Sequence, residues 1–403
     1  MKNIKLLTSR YPYGVGEQFL EEEIIHWAKW DSACTLEVMP FVKDGNLRYL
    51  PEEIRVNESY SFKINYIYFF ALITFSFFWK EIIYLIKSKK FSFKNLLKLI
   101  KYGVLIVQSY NQLKKSGLGT DYIYSYWSNF SSYGALLYKM KKNNVKVVTR
   151  IHRFDLYEDL YEKNYMPFKR QFINEYDAIF VLSQEGRSYL TDNFSVLDAK
   201  IILMPLGVKV DEAIINYEKV SECIKIVSVS NCIKVKRIDK IIDALKKLEG
   251  VTSKKIIWHH YGDGILKNKL IDYASRQLEK IEFEFKGNIE NSELQKKLVI
   301  EKYDLIINAS ESEGVPVSLM EAMAKKIVPI APDVGGIRFL VNQQNGFLLD
   351  SSCEVEDIYN SVINYLNLSE SEQNYIQSNA FNIINTNYNS EKNYNKFIEY
   401  FVR

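Results

Sequence analysis

The sequence predicts an α/β protein made of two doubly wound domains. Short apolar runs alternate with helix-length amphipathic segments over most of its 403 residues. Repeated strand–helix–strand order is typical of parallel sheets that helices cover on both faces. The length is sufficient for two domains that each bury a core of their own. Apolar residues make up 47% of the chain and charged residues 25%, a globular composition that excludes wholesale disorder.

Apolar runs bounded by turn residues mark the strand candidates. In the first half of the chain they are 4–7, 122–126, 145–150, 178–182 and 201–204. In the second half they are 224–228, 255–259, 281–285, 304–308 and 327–331. The helix candidates between them are 17–29, 131–142, 237–248, 265–278 and 317–324. The last stretch, 369–403, is also predicted to be helical and carries no motif.

The domain boundary is predicted after Leu206. A strand candidate ends there, Pro205 and Gly207 interrupt it, and the charged segment 209–222 precedes the next strand. The predicted parts are an N-terminal domain over 1–206 with a basic, aromatic helical insertion at about 61–120, a second domain over 207–385 and a C-terminal helix over 386–403. Doubly wound sheets bind ligands beyond the carboxyl ends of their strands, so we expect a cleft between the two domains.

Net charge is small, but basic residues are concentrated in the insertion. A formal net charge of +4 indicates neither a nucleic-acid partner nor an acidic scaffold. Residues 61–120 contain ten Lys and one Glu, and the stretch 64–79 has no charged residue and many aromatic ones. A spanning helix needs about twenty apolar residues, so a transmembrane span is disfavoured. Two interpretations stay open: a helix packed within the first domain, or an interfacial helix that contacts an anionic membrane surface through about 61–101.

Cysteine and histidine usage points away from disulfides and metals. The four cysteines, Cys34, Cys223, Cys232 and Cys353, show neither a CxxC spacing nor a zinc-like one, which predicts a reducing compartment. Only four His are present, and no Asp-x-Asp occurs that would bridge a metal to a diphosphate. The first ten residues lack the apolar core and cleavage site of a signal peptide. These features predict a cytoplasmic protein without a metal site.

Two glutamates lie at a strand–turn–helix junction in the second half of the chain. Glu313 lies in the Gly-containing loop after the strand candidate 304–308, and Glu321 lies eight positions later, inside the next helix. Carboxylates accept hydrogen bonds from vicinal hydroxyls of a hexose or a ribose. The helix start also offers unpaired backbone N–H groups and a positive dipole to a phosphate or a sugar oxygen. The arrangement predicts a sugar or nucleotide site, with a solvated acidic turn as the alternative.

A basic pair opens the first helix of the second half. Lys236 and Arg237 follow the strand candidate 224–228 and a small polar loop that contains Ser230. Cations at this place can neutralise the charge that builds up on a departing diphosphate. A solvated basic helix start is the alternative interpretation.

Two loops of the first half also follow strand candidates. Gly14 and Gly16 permit a phosphate or an acceptor to approach the backbone closely, or they form a tight turn without a ligand. His152 and Asp155 follow the strand candidate 145–150, where cleft residues are expected. A lone His is often a structural residue, so His152 is a candidate for either role.

Taken together, these segments resemble family 4 glycosyltransferases, which have the GT-B architecture. Segment 308–324 resembles their nucleotide-sugar site, 227–244 their diphosphate loop, and 16–24 a polysaccharide-biosynthesis branch. The resemblance implies catalytic roles for Glu313 at the donor-sugar hydroxyls, Lys236 at the leaving diphosphate and His152 beside the sugar. The donor-binding residues that it implies, with Glu321 on the ribose, are Gly14, Gly16, Ser230, Arg237, Gly262, Asn288, Gly314, Val315, Pro316, Val317, Ser318 and Glu321.

The sequence departs from the family pattern at four positions. Asn231 replaces an Arg of the diphosphate loop, and Arg237 replaces the Gly after Lys236. Arg153 replaces the Gly after His152, and Arg338 stands where a Glu commonly follows a Gly pair. Arg237 is a candidate for the missing second cation.

The resemblance implies a bacterial glycosyltransferase that moves a hexosyl group from a UDP- or GDP-linked sugar to a lipid-linked saccharide. Capsule, exopolysaccharide or lipopolysaccharide synthesis is the expected setting, with retention of configuration and with no metal, cofactor or nucleic-acid partner. The expected location is the inner face of the plasma membrane, to which the protein would bind peripherally. Two alternatives remain: a nucleotide-sugar epimerase of similar plan, and a non-catalytic sugar-binding subunit of a polysaccharide-synthesis complex.

Overall fold

Two parallel β-sheets organise the chain in the computed structural model, one in each of two units. Unit 1 comprises Met1–Leu206 together with Glu391–Arg403, and unit 2 comprises Gly207–Ser390. The structure describes residues 1–14, 16–17, 19–116, 119–141, 144–210, 223–252 and 254–403. The charged segment 209–222, which precedes the strand candidate 224–228, lies outside the described residues except for its first two positions.

Unit 1 is built on a seven-stranded parallel sheet. Its strands are β1 (Lys2–Thr8), β2 (Cys34–Pro40), β3 (Arg55–Val56), β4 (Tyr122–Ser125), β5 (Lys146–Ile151), β6 (Ala178–Val181) and β7 (Ile201–Leu203). Their order is β3-β2-β1-β4-β5-β6-β7, so the chain builds one half of the sheet outward from β1 and then returns to build the other half from β4. Strands β4 and β6 are buried along their whole length, as expected when both faces of a sheet are covered.

The helices of unit 1 fall between these strands. They are α1 (Phe19–Ala28), α2 (Phe69–Leu72), α3 (Ser76–Lys87), α4 (Phe93–Ser116), α5 (Phe130–Lys141), α6 (Arg153–Leu156), α7 (Lys169–Phe172) and α8 (Gln184–Phe194).

Unit 2 repeats the same plan with six parallel strands in the order β10-β9-β8-β11-β12-β13. The strands are β8 (Cys223–Val229), β9 (Lys255–Tyr261), β10 (Glu282–Gly287), β11 (Leu305–Ile307), β12 (Val328–Pro332) and β13 (Phe347–Leu349). The helices are α9 (Ile238–Leu248), α10 (Lys267–Gln277), α11 (Asn291–Ile300), α12 (Val317–Met323), α13 (Val355–Asn367) and α14 (Glu370–Asn387). Helix α9 packs on the sheet because Ile238, Ile241 and Leu245 recur at helical spacing and are buried.

The last helix, α15 (Ser390–Val402), returns to unit 1. Its Phe397 and Phe401 rings pack edge-on against Trp27 of α1, at centroid distances of 6.0 and 5.2 Å. The stretch 369–403 is helical, as predicted, and it forms two helices, α14 and α15. The two helices are separated at residues 388–389, where the chain pairs with Val208. The Val208 carbonyl accepts a hydrogen bond from Ser390 N–H, and the Val208 N–H donates one to the Tyr388 carbonyl.

The predicted helical insertion contains α2, α3 and α4. The apolar stretch 64–79 is not one helix, since α2 ends at Leu72 and α3 begins at Ser76. Side chains stabilise this break, because Thr74 donates to the Ala71 carbonyl and Trp79 Nε1 donates to the Ile73 carbonyl. Among the described residues no single helix is long and apolar enough to cross a membrane. The segments Tyr66–Leu72 and Ser76–Lys87 reach that length only together, and they are bent by 88°.

Candidate functional site

Two loops meet at one edge of the unit 2 sheet. Strands β8 and β11 are neighbours although the chain forms β9 and β10 between them, so the strand order reverses at this point. In doubly wound sheets, ligands bind outside the carboxyl ends of the strands at such a reversal. We call residues 230–237, which follow β8, loop A, and residues 308–316, which follow β11, loop B. The predicted basic pair and Glu313 lie on these loops, and Glu321 lies on α12 directly after loop B.

Lys236 of loop A and Glu313 of loop B form an ion pair. Lys236 Nζ lies 2.5 Å from Glu313 Oε1, and Asn308 Nδ2 donates a hydrogen bond to the same oxygen at 3.1 Å. The two charged side chains are 19% and 12% exposed. This partial burial strengthens their attraction while leaving a path for solvent or a ligand. Asn308 was not among the predicted site residues, although it ends the strand candidate 304–308.

Arg237 braces loop A against loop B. Its backbone has φ +47°, in the left-handed region, at the position where the family pattern has Gly. Its Nε donates to the Ala309 carbonyl at 2.5 Å and its guanidinium donates to the Ser310 carbonyl at 3.3 Å. The Glu311 N–H also donates to the Val235 carbonyl at 2.9 Å. To neutralise a diphosphate, Arg237 would have to leave these carbonyls, and its donor-binding role stays a prediction.

Two glycines let these loops pass close to neighbouring backbone. A Cβ on Gly262, where φ is +142°, would lie 1.9 Å from the Ser230 carbonyl oxygen. A Cβ on Gly335, where φ is +58°, would lie 2.0 Å from the Glu313 carbonyl oxygen. Only glycine can occupy either position without moving its neighbour. Ser230 and Gly262, both predicted to bind the donor, thus lie side by side, whereas Gly335 was not predicted as a site residue.

Glu321 is engaged by a third loop. Asn291 Nδ2, at the start of α11, donates to Glu321 Oε1 at 3.0 Å, and Glu321 is buried within α12. Asn288, which is predicted to read the nucleotide base, is exposed in the same loop after β10. Glu313 therefore contacts Lys236, while Glu321 contacts Asn291, three positions after Asn288. This separation fits the predicted division of the two carboxylates between sugar and ribose.

A continuous turn joins Glu313 to helix α12. The helix begins at Val317, and Pro316 precedes it with extended backbone. The Gly336 N–H donates to the Gly314 carbonyl at 2.7 Å and ties this turn to the Gly335–Gly336 pair. The predicted donor-binding residues on the turn are Gly314, Val315, Pro316, Val317 and Ser318.

In unit 1, the backbone of the loop after β1 donates hydrogen bonds to a carboxylate of the same loop, Glu17. Glu17 accepts hydrogen bonds from the backbone N–H groups of Ser9, Arg10 and Tyr11, each at 2.8 Å. Trp127 Nε1, from the loop after β4, donates to Glu17 Oε1 at 2.6 Å. Glu17 is 7% exposed. Sequence reasoning singled out the glycines of this loop and missed the carboxylate that organises it.

The predicted glycines of this loop have different surroundings. A Cβ on Gly14 would lie 2.5 Å from the Asp44 carbonyl oxygen, so its close approach is to the protein's own backbone. A Cβ on Gly16 would have no described atom within 4 Å. Donor binding by Gly14 and Gly16 stays a prediction, and Gly16 has the space for it.

His152 is buried in unit 1 against two aromatic rings. Its ring centroid lies 4.6 Å from that of Tyr126 and 4.5 Å from that of Trp127. The His152 backbone N–H donates to Asp155 Oδ1 at 2.6 Å. Burial, assisted by the Arg150 guanidinium, lowers the pKa of His152 to about 3, so the imidazole is neutral at neutral pH. His152 belongs to unit 1 and Lys236 to unit 2, and a role for His152 at the donor sugar stays a prediction.

The sequence of unit 2 matches a known family. Residues 210–381 match the model of glycosyl transferases group 1. The chain is 24% identical over 197 residues to the poly(ribitol-phosphate) alpha-N-acetylglucosaminyltransferase of Staphylococcus aureus. It is 26% identical over 204 residues to the GtfA subunit of the UDP-N-acetylglucosamine–peptide N-acetylglucosaminyltransferase of Streptococcus pneumoniae. Each alignment covers 48% of this chain and 38% of the relative, so the chain spans well under half the length of these curated relatives.

Solved structures resemble the chain over its whole length. A mutant of Staphylococcus aureus TarM, crystallised with fondaparinux, alpha-GlcNAc-glycerol and UDP, has a TM-score of 0.66 at 16% identity, with 100% of both chains covered. Anabaena HepE with UDP and glucose has a TM-score of 0.68 at 15% identity, with 99% of both covered. The lipopolysaccharide outer core galactosyltransferase WaaB has a TM-score of 0.67 at 16% identity, with 99% of both covered. These likenesses confirm the predicted fold class, two doubly wound domains of the GT-B type.

Proposed function

We propose that this GT-B protein is a glycosyltransferase that transfers a hexosyl group from a nucleotide-diphosphate sugar to a saccharide acceptor. The observation that carries the proposal is the contact between Lys236 Nζ and Glu313 Oε1 where the strand order of unit 2 reverses. Both residues lie within 210–381, the part that matches the model of glycosyl transferases group 1. A ligand site at this edge of the sheet is also what the doubly wound topology favours.

The ion pair suggests how the donor is held. In the structure Lys236 and Glu313 satisfy each other, so a ligand must offer each a replacement partner. A diphosphate offers Lys236 an anion, and the hydroxyls of the attached sugar offer Glu313 hydrogen-bond donors. A nucleotide sugar replaces both halves of the pair at once, whereas a free phosphate replaces only one. In this proposal Glu321, positioned by Asn291, binds the ribose.

The proposed reaction exchanges one bond at the anomeric carbon. The bond from the sugar C1 to the diphosphate oxygen breaks, and the acceptor hydroxyl oxygen bonds to C1 on the same face, which retains configuration. The acceptor proton passes to the departing phosphate, and Lys236, rather than a metal ion, stabilises the charge on that phosphate. Glu313 orients the sugar, and the hydrogen bond from Gly336 N–H to the Gly314 carbonyl ties its loop to the Gly335–Gly336 pair.

The relatives favour a particular donor and acceptor class. UDP is bound in two of the similar structures and is part of the name of one curated relative, so we propose a UDP-linked sugar first and a GDP-linked sugar second. The names of relatives include a poly(ribitol-phosphate) and a lipopolysaccharide core transferase. We therefore propose an acceptor in capsule, exopolysaccharide or lipopolysaccharide assembly, lipid-linked and met at the inner face of the plasma membrane.

Substitution of the ion pair tests this function. Lys236→Ala and Glu313→Gln are each expected to lower transfer about 100- to 1000-fold, because each removes a group that stabilises the transition state. The donor for the assay is found by thermal shift with UDP-, GDP-, ADP- and dTDP-sugars, since a bound ligand raises the melting temperature. Release of nucleoside diphosphate and formation of the glycosylated acceptor are then measured together.

Matched controls lie beside each site residue. Lys234 and Glu311 are exposed on the same loops, and Lys234→Ala and Glu311→Gln should leave turnover unchanged. Circular dichroism and melting temperature establish that all four variants fold. Unaltered turnover in both site variants would refute the mechanism. An epimerised donor without released nucleoside diphosphate, seen by NMR, would replace transfer with epimerisation.

A further inference from the structure

The insertion of unit 1 presents large apolar side chains that lie outside the core. We define the apolar–basic face as the outward side of α2, α3 and the start of α4. Six of its large apolar side chains are between 51% and 75% exposed: Phe70, Trp79, Ile83, Ile86, Phe93 and Leu97. In α3, Trp79, Ile83 and Ile86 recur at helical spacing on one side, while Phe78 and Leu85 on the other side are buried in the core. Helix α3 is therefore apolar both toward the core and away from it.

The exposed apolar side chains are concentrated here. Of the 23 large hydrophobic side chains that are exposed among the described residues, ten lie between positions 66 and 97. Singly exposed apolar residues are ordinary on protein surfaces, but a contiguous group marks an interaction site. The concentration of ten between Tyr66 and Leu97 makes this stretch the candidate for such a site.

The charges of this face have one sign. Residues 61–101 contain eight Lys and a single acid, Glu81. Glu81 is turned inward, where it is 1% exposed and accepts hydrogen bonds from the Phe168 N–H and Gln171 Nε2. At the rim, Lys94 pairs with Glu162, whereas Lys80, Lys87 and Lys101 are exposed and have no ion pair within the described ranges. The surface thus presents apolar side chains and lysines, while its single acidic residue, Glu81, is buried.

An anionic bilayer satisfies both components of this surface. Aromatic and aliphatic side chains can enter the boundary between headgroups and acyl chains while lysines extend to the lipid phosphates. The twelve residues of α3 extend only about 18 Å, well short of the roughly 30 Å of a hydrocarbon core. The 88° bend between the segments of α2 and α3 also prevents a straight span. The geometry suits a surface that lies on a membrane.

We propose that the apolar–basic face docks unit 1 onto the surface of an anionic phospholipid bilayer. The inference is independent of the proposed reaction, because neither a donor nor the Lys236–Glu313 pair takes part. The fold buries Phe78 and Leu85 in the core and leaves Ile83, Ile86 and the exposed half of the Trp79 side chain for the lipid. The lysines select for anionic headgroups over neutral ones.

Vesicle flotation of the full chain tests the proposal. Vesicles of phosphatidylcholine with an equal amount of phosphatidylglycerol are compared with phosphatidylcholine alone, at low salt. The wild-type protein is expected to float with the anionic vesicles, and less so at high salt because exposed charges are screened. The double variant Ile83→Ser, Ile86→Ser should lower partitioning at least about tenfold, since it removes two of the inserted side chains. The triple variant Lys80→Gln, Lys87→Gln, Lys101→Gln should also lower it at least about tenfold.

Matched controls come from exposed residues of unit 2. Ile265→Ser with Ile300→Ser removes two apolar side chains that are more exposed than Ile83 and Ile86, and Lys269→Gln, Lys280→Gln, Lys296→Gln removes three exposed lysines. Both controls should float like the wild type, and so should Glu313→Gln, which separates docking from catalysis. Circular dichroism verifies that each variant is folded.

Three results would overturn the proposal. The wild type could remain unbound with anionic vesicles at low salt, or the face variants could float as well as their unit 2 controls. Mass photometry could show instead that the serine variant disrupts an oligomer without changing flotation, in which case a second copy of the chain covers the face.

Discussion

The two sheets share one strand order but differ at the point where that order reverses. In unit 1, the loop after β1 is filled by Glu17, which accepts three backbone N–H groups and the Trp127 indole N–H. In unit 2, the loop after β8 carries Lys236, which is paired with Glu313 of the neighbouring loop. In unit 1 these three N–H groups already donate to a carboxylate, so they are not free to bind a phosphate. In unit 2 a ligand that displaces Glu313 from Lys236 would leave the lysine able to bind a phosphate.

This difference shows that the scaffold fixes where a site lies while the loops decide what it binds. Buried N–H groups left without a partner cost about 1–3 kcal/mol each, so Glu17 stabilises the fold of unit 1 by occupying them. In unit 2, Gly262 and Gly335 bring backbone segments close enough for Lys236 and Glu313 to meet. At one reversal point the protein's own carboxylate occupies three backbone N–H groups, and at the other an acid holds the lysine that we propose binds the donor.

The largest effect is expected from Gly262→Ala in unit 2. The new Cβ would lie 1.9 Å from the Ser230 carbonyl oxygen on a backbone with φ +142°, so loop A must move. We expect transfer to fall about 100-fold, because a shift near 1 Å misaligns reacting groups. The free energy of unfolding should fall by about 3 kcal/mol from the clash and the strained backbone. Steady-state kinetics and urea denaturation measure the two effects.

Gly250→Ala is the matched control for this change. Gly250 also has a positive φ, +85°, but a Cβ there meets no described atom within 4 Å. Backbone strain alone should lower the free energy of unfolding by about 1–2 kcal/mol, and the rate of transfer should not change. Equal losses of activity in the two variants would mean that the approach of Gly262 to loop A has no special importance for the site.

A smaller effect, on stability alone, is expected from Glu17→Gln in unit 1. The glutamine keeps the shape of the side chain but turns an amide nitrogen toward backbone or indole N–H donors, leaving at least two of them unpaired. The free energy of unfolding should fall by about 2–4 kcal/mol. Affinity for UDP, measured by isothermal titration calorimetry on the folded variant, should not change.

The control for Glu17→Gln is Glu21→Gln on helix α1. Glu21 pairs with Arg48 at 2.8 Å and is 36% exposed, so its loss should reduce stability by less than about 1 kcal/mol. If Glu17→Gln weakened UDP binding while the protein stayed folded, the glycine loop of unit 1 would belong to the donor site. The contrast between the two reversal points would then be mistaken.

Much of the candidate site in unit 2 could be predicted from the sequence. Strand candidates 224–228 and 304–308 lie where β8 and β11 form, because buried parallel strands are continuous apolar runs. Lys236 and Glu313 stood out because each follows such a run. Their contact, across 77 positions, needed the fold, as did the approach of Gly335 to Glu313.

Unit 1 was harder to predict for physical reasons. Strand β2 (Cys34–Pro40) was not among the strand candidates, since Thr35 and Glu37 alternate with its apolar residues and Pro40 ends it. Glu17 meets Trp127 across 110 positions, and no local pattern reveals that contact. The return of α15 to unit 1 depends on still longer contacts, such as the hydrogen bond from Trp30 Nε1 to Asn395.

The smallest expected effect is a pH dependence that originates beneath loop A. His260 is buried, with Nδ1 2.8 Å from Ser228 Oγ and Nε2 3.4 Å from Cys232 Sγ. Burial, assisted by Lys267, lowers the pKa of His260 from 6.5 to about 4. Between these values the unfolded chain binds a proton that the folded chain does not, so stability is lost as pH falls. From about pH 7 to about pH 5 this contribution reaches about 2 kcal/mol.

His260→Gln removes this contribution, so its unfolding free energy should fall less steeply with acidity than that of the wild type. Trp258 provides a local reporter, because it is the only tryptophan of unit 2 and its Nε1 donates to Ser228 Oγ at 3.0 Å. Fluorotryptophan labelling and fluorine NMR during urea denaturation follow that residue separately from the four tryptophans of unit 1. The unit 1 variant His152→Gln should leave the Trp258 pH profile unchanged. Parallel profiles for the wild type and His260→Gln would show that this imidazole does not govern the acid sensitivity of unit 2. Protonation of His260 beneath loop A would then have no effect on the stability of that unit.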